Sequence, residues 1–205
     1  MPNYQDFEDN MNAFIFELDD VLLPQKDYDL QVYYLFANFL EYLEPQCVAS
    51  QLLEFITPQY QKFGNQNIFD ALQKAFNLDN KYQQNLELLF TNANLPLKLL
   101  LFKEALNLLQ QIVVNRKQVL ILTSGLAQTQ LNKIKQTDWN GLDKFLKVYF
   151  VDEFAPKPNT QSLTYLINEN DLDLKKTVLI GKSSLDKKMA KAAEINYFEI
   201  SKIEN

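Results

Sequence analysis

The chain has 205 residues, of which 47% are apolar and 22% are charged, a composition typical of a soluble globular protein. Its net charge of −6 offers no basic surface for counterion release, so we expect no nucleic-acid partner. It contains no histidine and one cysteine, which excludes His-dependent triads, CxxC metal sites and an internal disulfide. Chemistry must therefore use carboxylates, lysines or hydroxyl groups.

The longest apolar runs are far shorter than the roughly 18 residues that a membrane span needs. The N-terminus is acidic and polar, where a signal peptide would be basic and then apolar. We therefore expect a cytoplasmic location and no membrane partner. The four glycines form neither a GxGxxG nor a Walker-type motif, which disfavours the dinucleotide and P-loop folds.

Short apolar runs typical of buried parallel strands recur along the chain. The first, Ala13 to Phe16, ends at the acidic group Glu17-Leu18-Asp19-Asp20. Three more runs and a weaker fifth lie at 119–122, 148–151, 178–180 and 197–200. Helical periods lie before the second run (Leu101, Ala105, Leu108, Ile112), after it (Ala127, Leu131, Ile134) and after the fourth (Leu185, Met189, Ala192, Ala193). This alternation predicts an α/β fold with a parallel sheet flanked by helices and ligands at the carboxyl ends of its strands.

The stretch 24–95 interrupts the alternation, because it has four helical patterns and no convincing strand. It is too long for a loop. We predict an all-helical domain at 24–95, inserted after strand one, and an α/β core domain formed by 1–23 and 96–205. Tyr33, Phe36 and Tyr42 recur in the first helical pattern, and we interpret them as part of the insert core.

Polar groups follow four of the predicted strands, at ends that meet in one crevice of a parallel sheet. They are Glu17-Leu18-Asp19, Thr123-Ser124-Gly125, Lys157, and Gly181 to Asp186. Each group alone has an ordinary explanation as a helix cap or a turn. Together and in this order they resemble the haloacid dehalogenase (HAD) superfamily of phosphohydrolases, whose motifs are strand-DxDx[TV], strand-[ST], Lys and strand-GDxxxD.

The resemblance covers nearly the whole chain and implies a Rossmann-like core with a helical cap of the C1 type, as in phosphatase-like members. It also implies roles for individual residues. The catalytic positions would be Glu17 as nucleophile, Asp19 as general acid and base, and Lys157. The phosphate would be held by Thr123, Ser124 and Lys157, and Mg2+ by Asp186 with the first carboxylate.

Two positions depart from the family pattern. Glu17 stands where the family nucleophile is Asp, and Lys182 stands where motif four has its first Asp. The extra methylene moves the Glu17 carboxylate by about 1 Å, a misplacement that can cost roughly a hundredfold in rate. We expect the Lys182 ammonium to take the place of Mg2+ beside Asp186, so that no cofactor is needed. Glu194, where members often have Gly, affects only a turn.

These departures predict a HAD-like protein with impaired catalysis that retains a crevice for a small phosphorylated or anionic molecule. One alternative is a slow Mg2+-dependent phosphomonoester hydrolase, in which Glu17 attacks phosphorus or Asp19 activates water. Another is a structural or partner-binding protein whose crevice is filled by its own side chains. No pattern in the insert identifies a substrate or a protein partner.

Overall fold

The structure is a computed structural model, and it describes residues 2–200. Its strands are β1 (Ala13–Phe16), β2 (Leu99–Leu100), β3 (Gln118–Thr123), β4 (Thr137–Asp138), β5 (Leu146–Phe150), β6 (Thr177–Gly181) and β7 (Asn196–Glu199). Its α-helices are α1 (Gln25–Leu43), α2 (Ala49–Phe63), α3 (Ile68–Phe76), α4 (Lys81–Asn92), α5 (Lys103–Val114), α6 (Ala127–Gln136), α7 (Gln161–Glu169) and α8 (Ser184–Ala192). No helix in this part of the chain is both long and apolar enough to cross a membrane.

Five strands form a parallel sheet in the order β5-β3-β1-β6-β7, which confirms the predicted α/β fold. Phe16 of β1 aligns with Ile121 of β3 on one side and with Ile180 of β6 on the other. The three central strands therefore end at the same edge. The chain passes from β1 to β3 and β5 on one side and then crosses to β6 and β7 on the other, so this edge lies at a topological switch point, where α/β proteins bind ligands. Strands β2 and β4 form a separate two-residue parallel pair.

One face of the sheet carries an apolar core contributed by alternate strand residues and by helices α7 and α8. Ala13 and Ile15 of β1 point to this face, and Phe14 and Phe16, also buried, point to the other. The core cluster consists of Ala13, Ile15, Leu120, Leu122, Val151, Leu163, Leu166, Ile167, Leu179, Met189, Ala190 and Ile195. Helix α7, which the sequence pattern did not predict, buries Leu163 and Leu166 fully in this cluster.

The chain divides into two compact units, Met1–Pro24 with Leu99–Asn205, and Gln25–Lys98. The first unit carries the sheet, and the second is built from α1 to α4. Tyr33 and Phe36 of α1 are buried, as predicted, but Tyr42 is 87% exposed. Tyr42 follows Tyr33 by about two and a half helical turns, so it lies on the opposite face of α1.

Candidate active site

The chain makes a tight turn directly after β1. The backbone N–H of Leu22 donates to the Leu18 carbonyl at 2.9 Å, and both leucine side chains are fully buried. Asp20 has a φ of +55°, a left-handed conformation that Asp adopts more readily than most residues. The turn holds Glu17 and Asp19 at the carboxyl edge of the sheet.

The carboxylate of Glu17 accepts hydrogen bonds from three other residues. Its Oε1 accepts the backbone N–H of Leu18 and the backbone N–H of Ser124, each at 3.1 Å. Its Oε2 accepts the Ser124 hydroxyl at 3.3 Å and the ammonium of Lys157. The side chain is 11% exposed. Glu17 is therefore fixed by donors from three separate segments of the chain.

Lys157 bridges Glu17 and Asp186. Its Nζ contacts Oε2 of Glu17 and lies 2.6 Å from Oδ1 of Asp186, and its side chain is 5% exposed. Burial alone would lower the pKa of Lys157, but the attraction of the Glu17 and Asp186 charges outweighs burial and raises this pKa above its usual value. The bridge therefore contains a charged ammonium group.

Asp186 also caps helix α8. Its Oδ2 accepts the Ser183 hydroxyl at 2.6 Å and the Ser183 backbone N–H at 3.1 Å, and the Asp186 N–H donates back to Ser183 Oγ at 3.0 Å. A Cβ on Gly181 would lie 2.7 Å from Oδ2, so only glycine at the end of β6 permits this approach. Asp186 thus caps helix α8 and also binds Lys157.

Asp19 is bound by two side chains of α6. Lys133 Nζ lies 2.8 Å from each Asp19 oxygen, and Gln130 Nε2 lies 2.8 Å from Oδ2. The Lys133 side chain is 3% exposed. A Cβ on Gly125, whose φ is +102°, would lie 3.0 Å from Gln130 Nε2, so Gly125 leaves room for this amide.

Gln130 and Lys133 are site residues that the sequence pattern did not predict, because Ala127, Leu131 and Ile134 define the helical period after β3. These apolar side chains are only half-buried, whereas the two polar side chains are buried. The three-residue spacing of Gln130 and Lys133, which places them on one helix face, was the available signal.

Lys182 differs from its predicted position. Its Nζ pairs with Asp20, and both side chains are 37% exposed, at the rim of the site. Lys157, and not Lys182, lies between Glu17 and Asp186. Lys182 directly follows the last residue of β6, from which its long side chain reaches the partly exposed carboxylate of Asp20.

The three predicted phosphate ligands are placed differently. Ser124 and Lys157 both contact the Glu17 carboxylate. Thr123, at the end of β3, is fully buried, and its hydroxyl has no hydrogen-bond partner among residues 2–200. Ser124 and Lys157 are therefore the side chains that are in position to hold an anion.

The carboxylates in this arrangement do not fit a Mg2+ ion. Within the described part of the chain, no group of three or more acidic, His or Cys residues could hold a metal. Glu17 and Asp186 share the Lys157 ammonium, and Asp19 binds Lys133. Mg2+ requires near-octahedral oxygen ligands at about 2.1 Å, and ammonium groups at the same carboxylates would repel it.

Comparisons with known proteins agree with this fold. A candidate β-phosphoglucomutase from Thermotoga maritima has a TM-score of 0.66 and 17% identity, over 95% of this chain and 88% of that chain. The magnesium-bound candidate HAD-hydrolase YfnB from Bacillus subtilis has a TM-score of 0.61 and 16% identity, over 91% and 85%. A HAD family hydrolase from Deinococcus radiodurans, with bound phosphate and sodium, has a TM-score of 0.56 and 14% identity, over 93% and 80%.

These identities are low, so the similar structures establish the fold alone. No curated protein matches the chain significantly. The family profile of the haloacid dehalogenase-like hydrolases, by contrast, matches residues 14–200. That range contains both units, in part or whole, and every residue of the site. The chain therefore belongs to the haloacid dehalogenase-like hydrolase family.

Proposed function

We propose that this family member does not turn over phosphomonoesters at a family-like rate, and that it acts by binding a small phosphorylated or anionic molecule. The observation that carries the proposal is the contact between Lys133 and Asp19, in which one buried ammonium lies 2.8 Å from both carboxylate oxygens. Asp19 stands at the general acid and base position of the family motif.

A general base needs a carboxylate oxygen within reach of the proton that it removes. Both Asp19 oxygens accept the buried Lys133 ammonium at 2.8 Å, so a substrate proton would have to compete with this ammonium for them. Lys133 therefore opposes the role that the family motif gives to Asp19.

Glu17 is equally constrained as a nucleophile. Its Oε2 accepts from Ser124 and Lys157, and its Oε1 accepts two backbone N–H groups. Attack on phosphorus would have to break some of these contacts, whereas a catalyst gains rate from interactions that strengthen in the transition state. The donors around Glu17 thus stabilise its carboxylate in the hydrogen-bonded position, before any attack on phosphorus.

Binding of an anion, by contrast, needs only hydrogen-bond donors, and the site has several. The Ser124 hydroxyl, the Lys157 ammonium and the backbone N–H groups of Leu18 and Ser124 all point to one place, where they already hold a carboxylate. Charge-assisted hydrogen bonds of this kind bind carboxylate and phosphate oxygens alike. We therefore propose a small anion as the class of ligand, with Mg2+ not required.

The proposal is tested by assaying hydrolysis of p-nitrophenyl phosphate and of small sugar phosphates in millimolar Mg2+. We expect the wild-type protein and a Glu17→Ala variant, purified identically, to give the same near-background rate. The variant is the matched control, because any contaminating phosphatase would appear equally in both samples. An efficient Mg2+-dependent rate that disappears in Glu17→Ala would instead support the slow phosphomonoester hydrolase.

A further inference from the structure

We infer that the Glu17 carboxylate acts as an internal anion that fills the anion cradle of this site, so that an external phosphate binds there only when Glu17 leaves. The anion cradle comprises the backbone N–H groups of Leu18 and Ser124, the Ser124 hydroxyl and the Lys157 ammonium. The inference rests on the proposed function, since it describes what controls binding at the same site.

The cradle is built from segments that are far apart in the chain. Leu18 follows β1, Ser124 follows β3, and Lys157 lies between β5 and α7. Their four donor groups all converge on the two oxygens of one carboxylate, at 3.1 Å for both backbone groups and 3.3 Å for the Ser124 hydroxyl. Four convergent donors suit an oxyanion, and the anion that they hold here is a side chain of the protein itself.

The cradle is also largely shielded from water. The side chains of Glu17 and Lys157 are 11% and 5% exposed. A buried ammonium needs a counter-charge and a buried carboxylate needs donors, and each supplies what the other requires. An incoming anion must therefore compete with a contact that already satisfies both groups.

Charge adds a second barrier to an external anion. Three carboxylates, of Glu17, Asp19 and Asp186, face two ammonium groups, of Lys133 and Lys157, which leaves one net negative charge. A phosphate dianion added to this set meets uncompensated repulsion at low dielectric. Removal of the Glu17 carboxylate leaves two carboxylates facing two ammonium groups, with no net charge. It also opens the position beside Lys157 Nζ to phosphate oxygens.

In the native protein, Glu17 makes the site selective for the kind of anion that it binds. Inorganic phosphate alone gains only the contacts that it takes from Glu17, so its net gain is small. A physiological ligand must add contacts beyond its anionic group in order to displace Glu17. The site is therefore closed to free phosphate and open only to a larger anionic molecule.

Titration calorimetry with inorganic phosphate at neutral pH tests this inference, with wild-type protein, Glu17→Ala and Glu17→Gln. We expect Glu17→Ala to bind phosphate at least about tenfold more tightly than wild type, the factor that ~1.4 kcal/mol represents. Glu17→Gln should lie between them, because its amide still fills the cradle but carries no charge. If Glu17→Ala does not fold, the comparison of Glu17→Gln with wild type decides.

Two lysines supply matched controls in the Glu17→Ala background. Lys157→Met should abolish the gained phosphate binding, whereas Lys182→Met, outside the cradle, should leave it unchanged. Equal phosphate affinity in wild type and both Glu17 variants would overturn the inference, as would phosphate binding that does not need Lys157. Either result is separate from the hydrolysis assay, which tests the proposed function alone.

Discussion

Lys133 and Asp19 form an ion pair in which the lysine Nζ lies 2.8 Å from each carboxylate oxygen, with the lysine side chain 3% exposed. The pair joins helix α6 to the turn after β1. At the same edge of the sheet, Lys157 joins Glu17 to Asp186. The carboxylates of Glu17, Asp19 and Asp186 are thus all engaged by lysines of the protein.

The Lys133–Asp19 pair predicts a coupled effect on stability. Lys133→Met leaves Asp19 without its counter-charge, so we expect the free energy of unfolding to fall by roughly 3–5 kcal/mol. Adding Asp19→Asn should recover part of this loss, with a coupling energy of about 1–3 kcal/mol. Urea denaturation of the wild type, both single variants and the double variant measures the coupling. Strictly additive effects would show that the two residues do not interact.

Lys157 and Lys182 form a matched comparison. Lys157→Met leaves Glu17 and Asp186 buried without their shared cation, and we expect a loss of roughly 3–5 kcal/mol in the free energy of unfolding. Lys182→Met removes a pair in which both side chains are 37% exposed, so the expected loss is at most about 1 kcal/mol. Chemical denaturation of the two variants measures both values. A larger loss of unfolding free energy for Lys182→Met than for Lys157→Met would indicate that Lys182 lies in the interior of the site.

The sequence could predict the sheet and the position of the site for a physical reason. Strands such as β1 and β6 are buried on both faces, so they appear as continuous apolar runs, and in a parallel sheet their ends must meet. Glu17, Asp19, Ser124 and Asp186 follow buried strands, and Lys157 follows the less buried β5. Hydrogen bonds join Glu17, Ser124, Lys157 and Asp186, and Gln130 links Asp19 to the Ser124 backbone.

Which lysine meets which carboxylate could not be predicted in this way. The motif order predicts that Lys182 takes the place of Mg2+ beside Asp186, because Lys182 directly follows Gly181. Which carboxylate a lysine contacts depends on the direction of its side chain. Lys182 extends to Asp20 at the rim, and Lys133 extends inward from α6 to Asp19. Gln130 and Lys133 form a polar buried face on α6, and a hydrophobic pattern cannot identify such a face as buried.

Tyr197 on β7 is partly buried near the charges of Asp186 and Glu199. Burial, with the charges of Asp186 and Glu199, raises the pKa of Tyr197 from 10.0 to about 12. The folded protein therefore keeps a proton that the unfolded chain releases, and stability falls as pH rises above 10 toward the folded value. We expect Tyr197→Phe to lose less stability than wild type between pH 10 and 12, measured by denaturation at several pH values. Parallel stability curves would contradict this assignment.

Glu194 follows helix α8 with a φ of +57°, a conformation that favours glycine. Glu194→Gly should remove this strain and raise the free energy of unfolding by about 0.5–1 kcal/mol, after the entropy of a more flexible unfolded chain is subtracted. Glu194→Ala is the control, because it removes the charge and keeps the Cβ, and it should give no such gain. Equal gains in unfolding free energy for the two variants would indicate that the gain comes from loss of the Glu194 charge and not from relief of backbone strain.

A crystal structure of the wild-type protein grown with both Mg2+ and phosphate tests most directly whether lysines close this site. We predict that Lys157 Nζ still bridges Glu17 and Asp186, that Lys133 still binds Asp19, and that neither ion lies between these carboxylates. The contrary result would be a metal ion with oxygen ligands from Glu17 and Asp186 at about 2.1 Å, beside a phosphate held by Ser124 and Lys157.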